Sequence, residues 1–164
     1  MNPNTAAFIK LVKHPIKFRI FLFSKLPSAF FSGLRIREID QTKSIVSVPF
    51  KWFSQNPFGS TYFACLAMAA EMSTGILGLL HVYKRNPPVS MLVVDLRASF
   101  YKKAKDISIF TCEDGIKISD TVEKAINSKE GQTIVARSVG LNIAGELLAE
   151  FNITWSFKMK NLSI

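Results

Sequence analysis

Residues 60–83 read STYFACLAMAAEMSTGILGLLHVY and carry a single charge, Glu71. A stretch this long and apolar has two possible homes. Its length suffices to cross a bilayer, and a helix apolar all round is also what fills the centre of a soluble domain. An ionised Glu in mid-span is costly in hydrocarbon. The flanking segments alternate apolar and polar residues, as half-buried strands do. The stretch is therefore read as a central helix that must be covered. Ser60 or Thr61 is placed to cap its free amides, and Arg85, Asn86, Pro87 and Pro88 are placed to end it. Gly75 and Gly78 weaken helix propensity and are read as points of close approach by another backbone.

The rest of the chain supplies the cover. Leu34, Ile36 and Ile39 alternate with Arg35, Arg37 and Glu38, then a turn at 40–43 leads to a second strand at 44–50, giving a hairpin. A long strand is expected at 91–103, paired through a turn at Lys105 and Asp106 with a strand at 107–112. A short helical or irregular insertion follows at 116–130, then strands at 132–139 and 145–158 joined by a turn at 142–145. In the last strand Phe151, Ile153, Trp155 and Phe157 alternate with Asn152, Thr154 and Ser156. Residues 5–31 look helical, in one or two pieces split at Pro15 and closed at Pro27. No internal repeat or domain boundary is visible. The expected class is α+β: a curved antiparallel sheet wrapped around a long central helix. Residues 1–32 form an N-terminal helical segment packed on a single domain of residues 33–164. Such a sheet covers one side of the helix, so a second copy is expected on the other, as a homodimer or a dimer of dimers.

With 48% hydrophobic and 20% charged residues among 164, long-range disorder is excluded. Two Cys and two His, scattered at 14, 65, 81 and 112, exclude a disulfide framework and a zinc finger. Cys65 is read as packing on the helix and Cys112 as a strand residue near an edge. The net charge is +9, and the first 38 residues hold seven bases against one acid, Glu38. Such a segment attracts anionic partners or forms a solvated helix face. Lys10, Lys13, Lys17, Arg19 and Lys25 interrupt every apolar run there, so no export signal is read and a cytoplasmic location is expected. The segment is expected to fold back on the domain, with peripheral membrane contact left open. Nucleic acid is not an expected partner, because the aromatic residues have apolar company rather than a stacking array.

One stretch also carries a resemblance. NPFGS-x-YFA-x-LAMAAE-x-STG, from Asn56 to Gly75, resembles the hotdog-fold superfamily, in its acyl-CoA thioesterase branch of the phenylacetate-pathway type. It is closer still to a hotdog family of undefined function. The likeness extends over roughly residues 17–160, including the strand from Val93 and the GELLAE run from Gly145. The thioesterase motif has an Asn in a loop, HGG at the helix start and an acid farther along. Asn56 matches the Asn, Tyr62 stands at the His, Phe63 and Ala64 replace the glycines, and Glu71 matches the acid. Lys102 and Lys103 stand near the family's usual Arg-Pro. The resemblance implies a dimeric acyl-CoA thioesterase with its site shared between subunits and no cofactor beyond the coenzyme A thioester as substrate.

The residues can be matched to that chemistry. Thioester hydrolysis needs donors for the developing oxyanion, a base or nucleophile and a dry acyl pocket. The helix N-terminus offers the free amide of Phe63. Glu71 in apolar surroundings is expected to have a raised pKa. Asn56 is placed to orient water or the carbonyl, or simply to form a turn. Tyr62, Ala64, Gly59 and Met68 are candidate substrate contacts, and Lys102 and Lys103 candidate partners for the nucleotide phosphates. No metal ligands are expected. Phe63 and Glu71 are eight residues apart, about 12 Å along a helix, so both reach one carbonyl only if a neighbouring antiparallel helix brings its own Glu71. Alternatively, Glu71 is a structural carboxylate paired with Arg97, Lys102 or a capping amide. The chain is then a non-catalytic acyl-CoA or lipid-binding protein.

Overall fold

The computed structural model describes residues 2–160, so residue 1 and residues 161–164 of the sequence-based boundaries lie outside it. Three helices open the chain: α1 (Thr5–Lys13), α2 (Pro15–Lys25) and α3 (Pro27–Phe31). Pro15 does split the helical segment. Pro27 does not close it; it takes the first position of α3, where a missing N–H and a fixed φ suit a helix start. The hairpin β1 (Arg35–Ile39) and β2 (Ser44–Val48) follows, then a single 3-10 turn at Trp52–Ser54. The long helix α4 spans Phe63–Val82. The chain continues with β3 (Val89–Phe100), β4 (Ser108–Cys112), α5 (Gly115–Ser128), β5 (Gln132–Leu141) and β6 (Leu147–Met159).

All six strands form one antiparallel sheet in the order β1-β2-β4-β5-β6-β3. The expected hairpin between 91–103 and 107–112 does not form. β3 pairs with β6, from Val89 opposite Met159 to Phe100 opposite Ala149, and β4 lies between β2 and β5. Alternation marks both segments as strands but is silent on their partners. The connection between them is held elsewhere. Ala104 is buried, and its carbonyl accepts from the Thr61 amide at 2.7 Å, just before α4 begins. Cys112 accordingly sits on an interior strand, fully buried, not near an edge.

The alternation in β6 is observed as read: Phe151, Ile153, Trp155 and Phe157 are buried and the residues between them are partly exposed. These side chains meet α4. Neither Ser60 nor Thr61 caps the helix; Tyr62 is its N-cap and makes no side-chain cap bond. A methyl group at Gly75 would lie 2.9 Å from Trp155 Cζ2, and one at Gly78 would lie 2.8 Å from Met91 Cε. Both glycines therefore admit sheet side chains, not another backbone.

The cover of α4 is more complete than a sheet on one side. It packs on β2, β4 and β5, and on α1, α3 and α5. What stays partly or fully open is one strip: Phe63, Ala64, Ala67, Met68, Glu71, Leu79 and Val82. Their spacing of three, four and eight places them along one face of the helix.

Candidate active site

The strip on α4 divides into two regions, one at its start and one at its middle. At the start, the chain is delivered by the loop 55–61, whose ends bridge at Gln55 and Thr61. Asn56 organises this loop. Its Oδ1 accepts from the amides of Phe58 and Ser60 at 3.0 and 3.2 Å, and its Nδ2 donates to Ser60 Oγ at 3.1 Å. Gly59, at φ +69 in the turn, donates its amide to the Asn56 carbonyl at 3.2 Å, and the surroundings of its Cα are open. The Tyr62 amide donates to the Ser54 carbonyl at 2.7 Å, which fixes the helix start. The amides of Phe63 and Ala64 come next and have no acceptor among the described residues. They are the free donors that any α-helix presents at its first turn.

A cavity of about 450 Å³ lies over this helix start, lined by Asn56, Tyr62, Phe63, Tyr101, Lys102 and Lys103. Phe63 is 57% exposed and its ring packs edge-on against Tyr62. Lys102 is ion-paired with Glu146, whereas Lys103 is exposed and has no ion pair among the described residues.

Glu71 stands two turns farther on. It lines a separate cavity of about 310 Å³ with Phe18, Phe21, Met72, Gly75 and Trp155. The two cavities share no residue, so one chain does not join Glu71 to the Phe63 amide. The ion-pair partners considered for Glu71 are engaged elsewhere: Arg97 pairs with Asp95, and Lys102 with Glu146. Among the described residues the Glu71 carboxylate has no hydrogen-bond or ion-pair partner. Burial among apolar side chains pushes its pKa above the ordinary carboxylate value. Gly75 leaves room beside it: a methyl there would be 3.1 Å from Glu71 Oε1. Trp155 is fixed opposite by its indole N–H, which donates to Thr74 Oγ1 at 2.9 Å.

The sequence reading did not find the wall contributed by α2. Phe18, Phe21 and Lys25 line the Glu71 cavity at a spacing of three and four, a helical signal legible in the chain. Phe18 and Phe21 stack at 5.8 Å between ring centroids. Behind them, with Ile76 and Leu79 as shared lining, is a further apolar cavity of about 190 Å³ under α1. Met68 and Ala64 lie on the open strip of α4 between the two regions.

No known protein-family profile matches this chain, and no curated protein matches it. Solved structures do. A protein of unknown function from Pseudomonas aeruginosa, described as a probable thioesterase, is 18% identical with a TM-score of 0.76, covering 89% of this chain and 97% of that one. A protein of unknown function from Chlorobaculum tepidum, also 18% identical, superposes at a TM-score of 0.75 over 89% of this chain and 94% of its own. A thioesterase from Haemophilus influenzae gives 0.64 at 12% identity, over 91% and 94%. At these identities the likeness speaks to architecture, and together with the long helix held in a curved six-stranded antiparallel sheet it shows that the chain has the α+β hotdog fold.

Proposed function

We propose that this protein hydrolyses acyl-coenzyme A thioesters at a site completed by a second copy of the chain. The carrying observation is Glu71, a carboxyl with no partner among the described residues and a raised pKa, opening into an apolar cavity on the open strip of the core helix. It lies eight residues from free helix-start amides, a distance of about 12 Å. An antiparallel partner helix, packed strip to strip through Ala64, Ala67 and Met68, closes that distance between subunits. The free edge of β3, where Leu92, Val94 and Leu96 are exposed, supports a contact beyond one chain.

In this reading Glu71 takes a proton from water, whose oxygen attacks the thioester carbonyl. The partner helix's first amides donate hydrogen bonds to the developing oxyanion. The C–S bond then breaks, and the proton passes to the departing thiolate. The apolar cavity walled by α2 takes the acyl group, and Lys103 meets the phosphates, with Lys102 released from Glu146 to join it. Asn56, its amide already bonded within the loop, positions the helix start.

Free-thiol release from short, long and aryl acyl-CoAs tests this, with wild type and Glu71→Gln side by side and oligomeric state measured for both. Turnover in the wild type and loss of at least about 100-fold in an intact Glu71→Gln dimer is the expected result. No turnover from any substrate by a folded dimer would favour the second reading, non-catalytic acyl-ligand binding. That reading draws on one observation: the Phe63 side chain projects over the helix start, where the resembling enzymes have glycine.

A further inference from the structure

The outward side of the N-terminal helices is not used by the site above. Ile16, Ile20 and Phe23 of α2 repeat at four and three residues and are all exposed, while Phe18 and Leu22 on the opposite side are buried. The face continues beyond α2 through ring contacts. Phe23 meets Phe30 and Phe31 at 5.2 and 6.2 Å, Phe31 meets Phe53 at 5.9 Å, and Phe53 meets Trp52 at 6.4 Å. Trp52 ends this series and is 82% exposed. Arg19 braces the assembly, lying 3.9 Å over the Phe30 ring and donating to the carbonyls of Phe30 and Leu34. An aromatic and aliphatic band of this extent is kept in water only at a cost, and marks an interaction surface.

The charges bordering the band decide its occupant. Residues 2–37 contain no acid. Lys13, Lys17 and Lys51 are exposed, and none has an ion pair among the described residues. Trp, Phe and Ile projecting together between lysines match the boundary of an anionic bilayer: rings and aliphatic chains enter the headgroup region while the ammonium groups meet the phosphates. A second copy is disfavoured, because a two-fold contact would set these bases opposite themselves. A nucleic acid would leave Ile16 and Ile20 without a counterpart. We propose that the face formed by α2, α3 and the Trp52–Ser54 turn docks this protein on anionic lipid surfaces. The proposal is independent of the thioesterase reading.

The full chain is tested on vesicles of phosphatidylcholine alone and of phosphatidylcholine with phosphatidylglycerol, by co-sedimentation and Trp emission. Trp155 is 5% exposed, so Trp52 reports the change. Binding to the mixed vesicles alone is expected, with a blue shift and protection from aqueous quencher. The Ile20→Glu/Phe23→Glu pair should lower binding at least tenfold. Lys17→Gln and Lys51→Gln should each lower it about fivefold. Trp52→Ala, read by co-sedimentation, is a second variant at a fully surface position, and circular dichroism checks the fold of each. Three outcomes overturn the proposal. One is no binding to mixed vesicles, or equal binding to neutral ones. Another is binding with Trp52 emission unchanged, which means surface adsorption only. The third is an Ile20→Glu/Phe23→Glu protein that loses its oligomeric state but keeps vesicle binding, which makes the face a self-interface.

Discussion

Gly75 and Gly78 sit one turn apart on α4, and the same substitution at each should have opposite effects. Alanine in a helix interior is favoured over glycine by about 1 kcal/mol. At Gly78 the added methyl meets Met91 Cε at 2.8 Å and Phe157 Cζ at 3.3 Å. The methionine end is flexible and can move away, so Gly78→Ala should be neutral or stabilising by up to about 1 kcal/mol. At Gly75 the methyl meets Trp155 Cζ2 at 2.9 Å and Cη2 at 3.1 Å. That ring is rigid, buried and tied to Thr74 by its N–H. Overpacking of this kind costs about 1–3 kcal/mol, which outweighs the helix gain. Gly75→Ala should therefore be the less stable of the two by about 2 kcal/mol, or about 4–8 °C in Tm for a chain of this size. Thermal and urea unfolding followed by circular dichroism measure the difference. Equal stabilities, or a more stable Gly75→Ala, would refute the argument that Trp155 is held against this glycine.

Other consequences can be measured in the same way. The Glu71 carboxyl holds its proton to higher pH folded than unfolded, so the native state binds more protons across that window. Stability should fall as pH rises from the ordinary carboxylate range through the raised native value, then level off. Glu71→Gln should lack this fall, and its advantage over wild type in unfolding midpoint should grow across the window. If the two pH profiles are parallel, Glu71 is not desolvated as described. Phe21→Ala removes part of the wall between the Glu71 cavity and the apolar space under α1, so the preferred acyl chain in the thiol-release assay should lengthen. An unchanged chain-length profile would place the acyl group elsewhere. Cys112 is fully buried with its thiol pKa pushed up to about 12, so it should be silent to a thiol reagent until the protein unfolds. Rapid labelling of Cys112 in native protein would show that β4 opens.

Several features were legible in the chain because they are local. A long apolar stretch with Glu71 as its single charge reads as a covered helix, and the period of two in residues 151–157 reads as a strand with one face inside. The resemblance around Asn56 to Gly75 pointed to the hotdog fold and singled out Glu71. Strand partnership was not local. The segment 91–103 and its successor are both strands, but β3 pairs with β6, and the connection after it is tied at Ala104 to the residue Thr61 just before α4. The helix start was not local either: Ser60 and Thr61 are suitable capping residues, yet Tyr62 starts α4 through its position in the loop and not through a side-chain bond.

The sequence by itself determined the inventory: a buried central helix, alternating strands to wrap it, a basic helical segment before them and one carboxyl on the apolar helix. Periodicity and charge are properties of neighbours along the chain, so they survive without tertiary information. Only the tertiary structure decided what surrounds each of them. It turned Phe18 and Phe21 of α2 into a wall of the Glu71 cavity and left Ile16, Ile20 and Phe23 of the same helix facing solvent. It also set Trp155 against Gly75, and it left Glu71 without a charged partner among the described residues, with Arg97 and Lys102 paired elsewhere. Desolvation and pairing are set by groups distant in sequence, and that is why the raised pKa of Glu71 is a property of the fold.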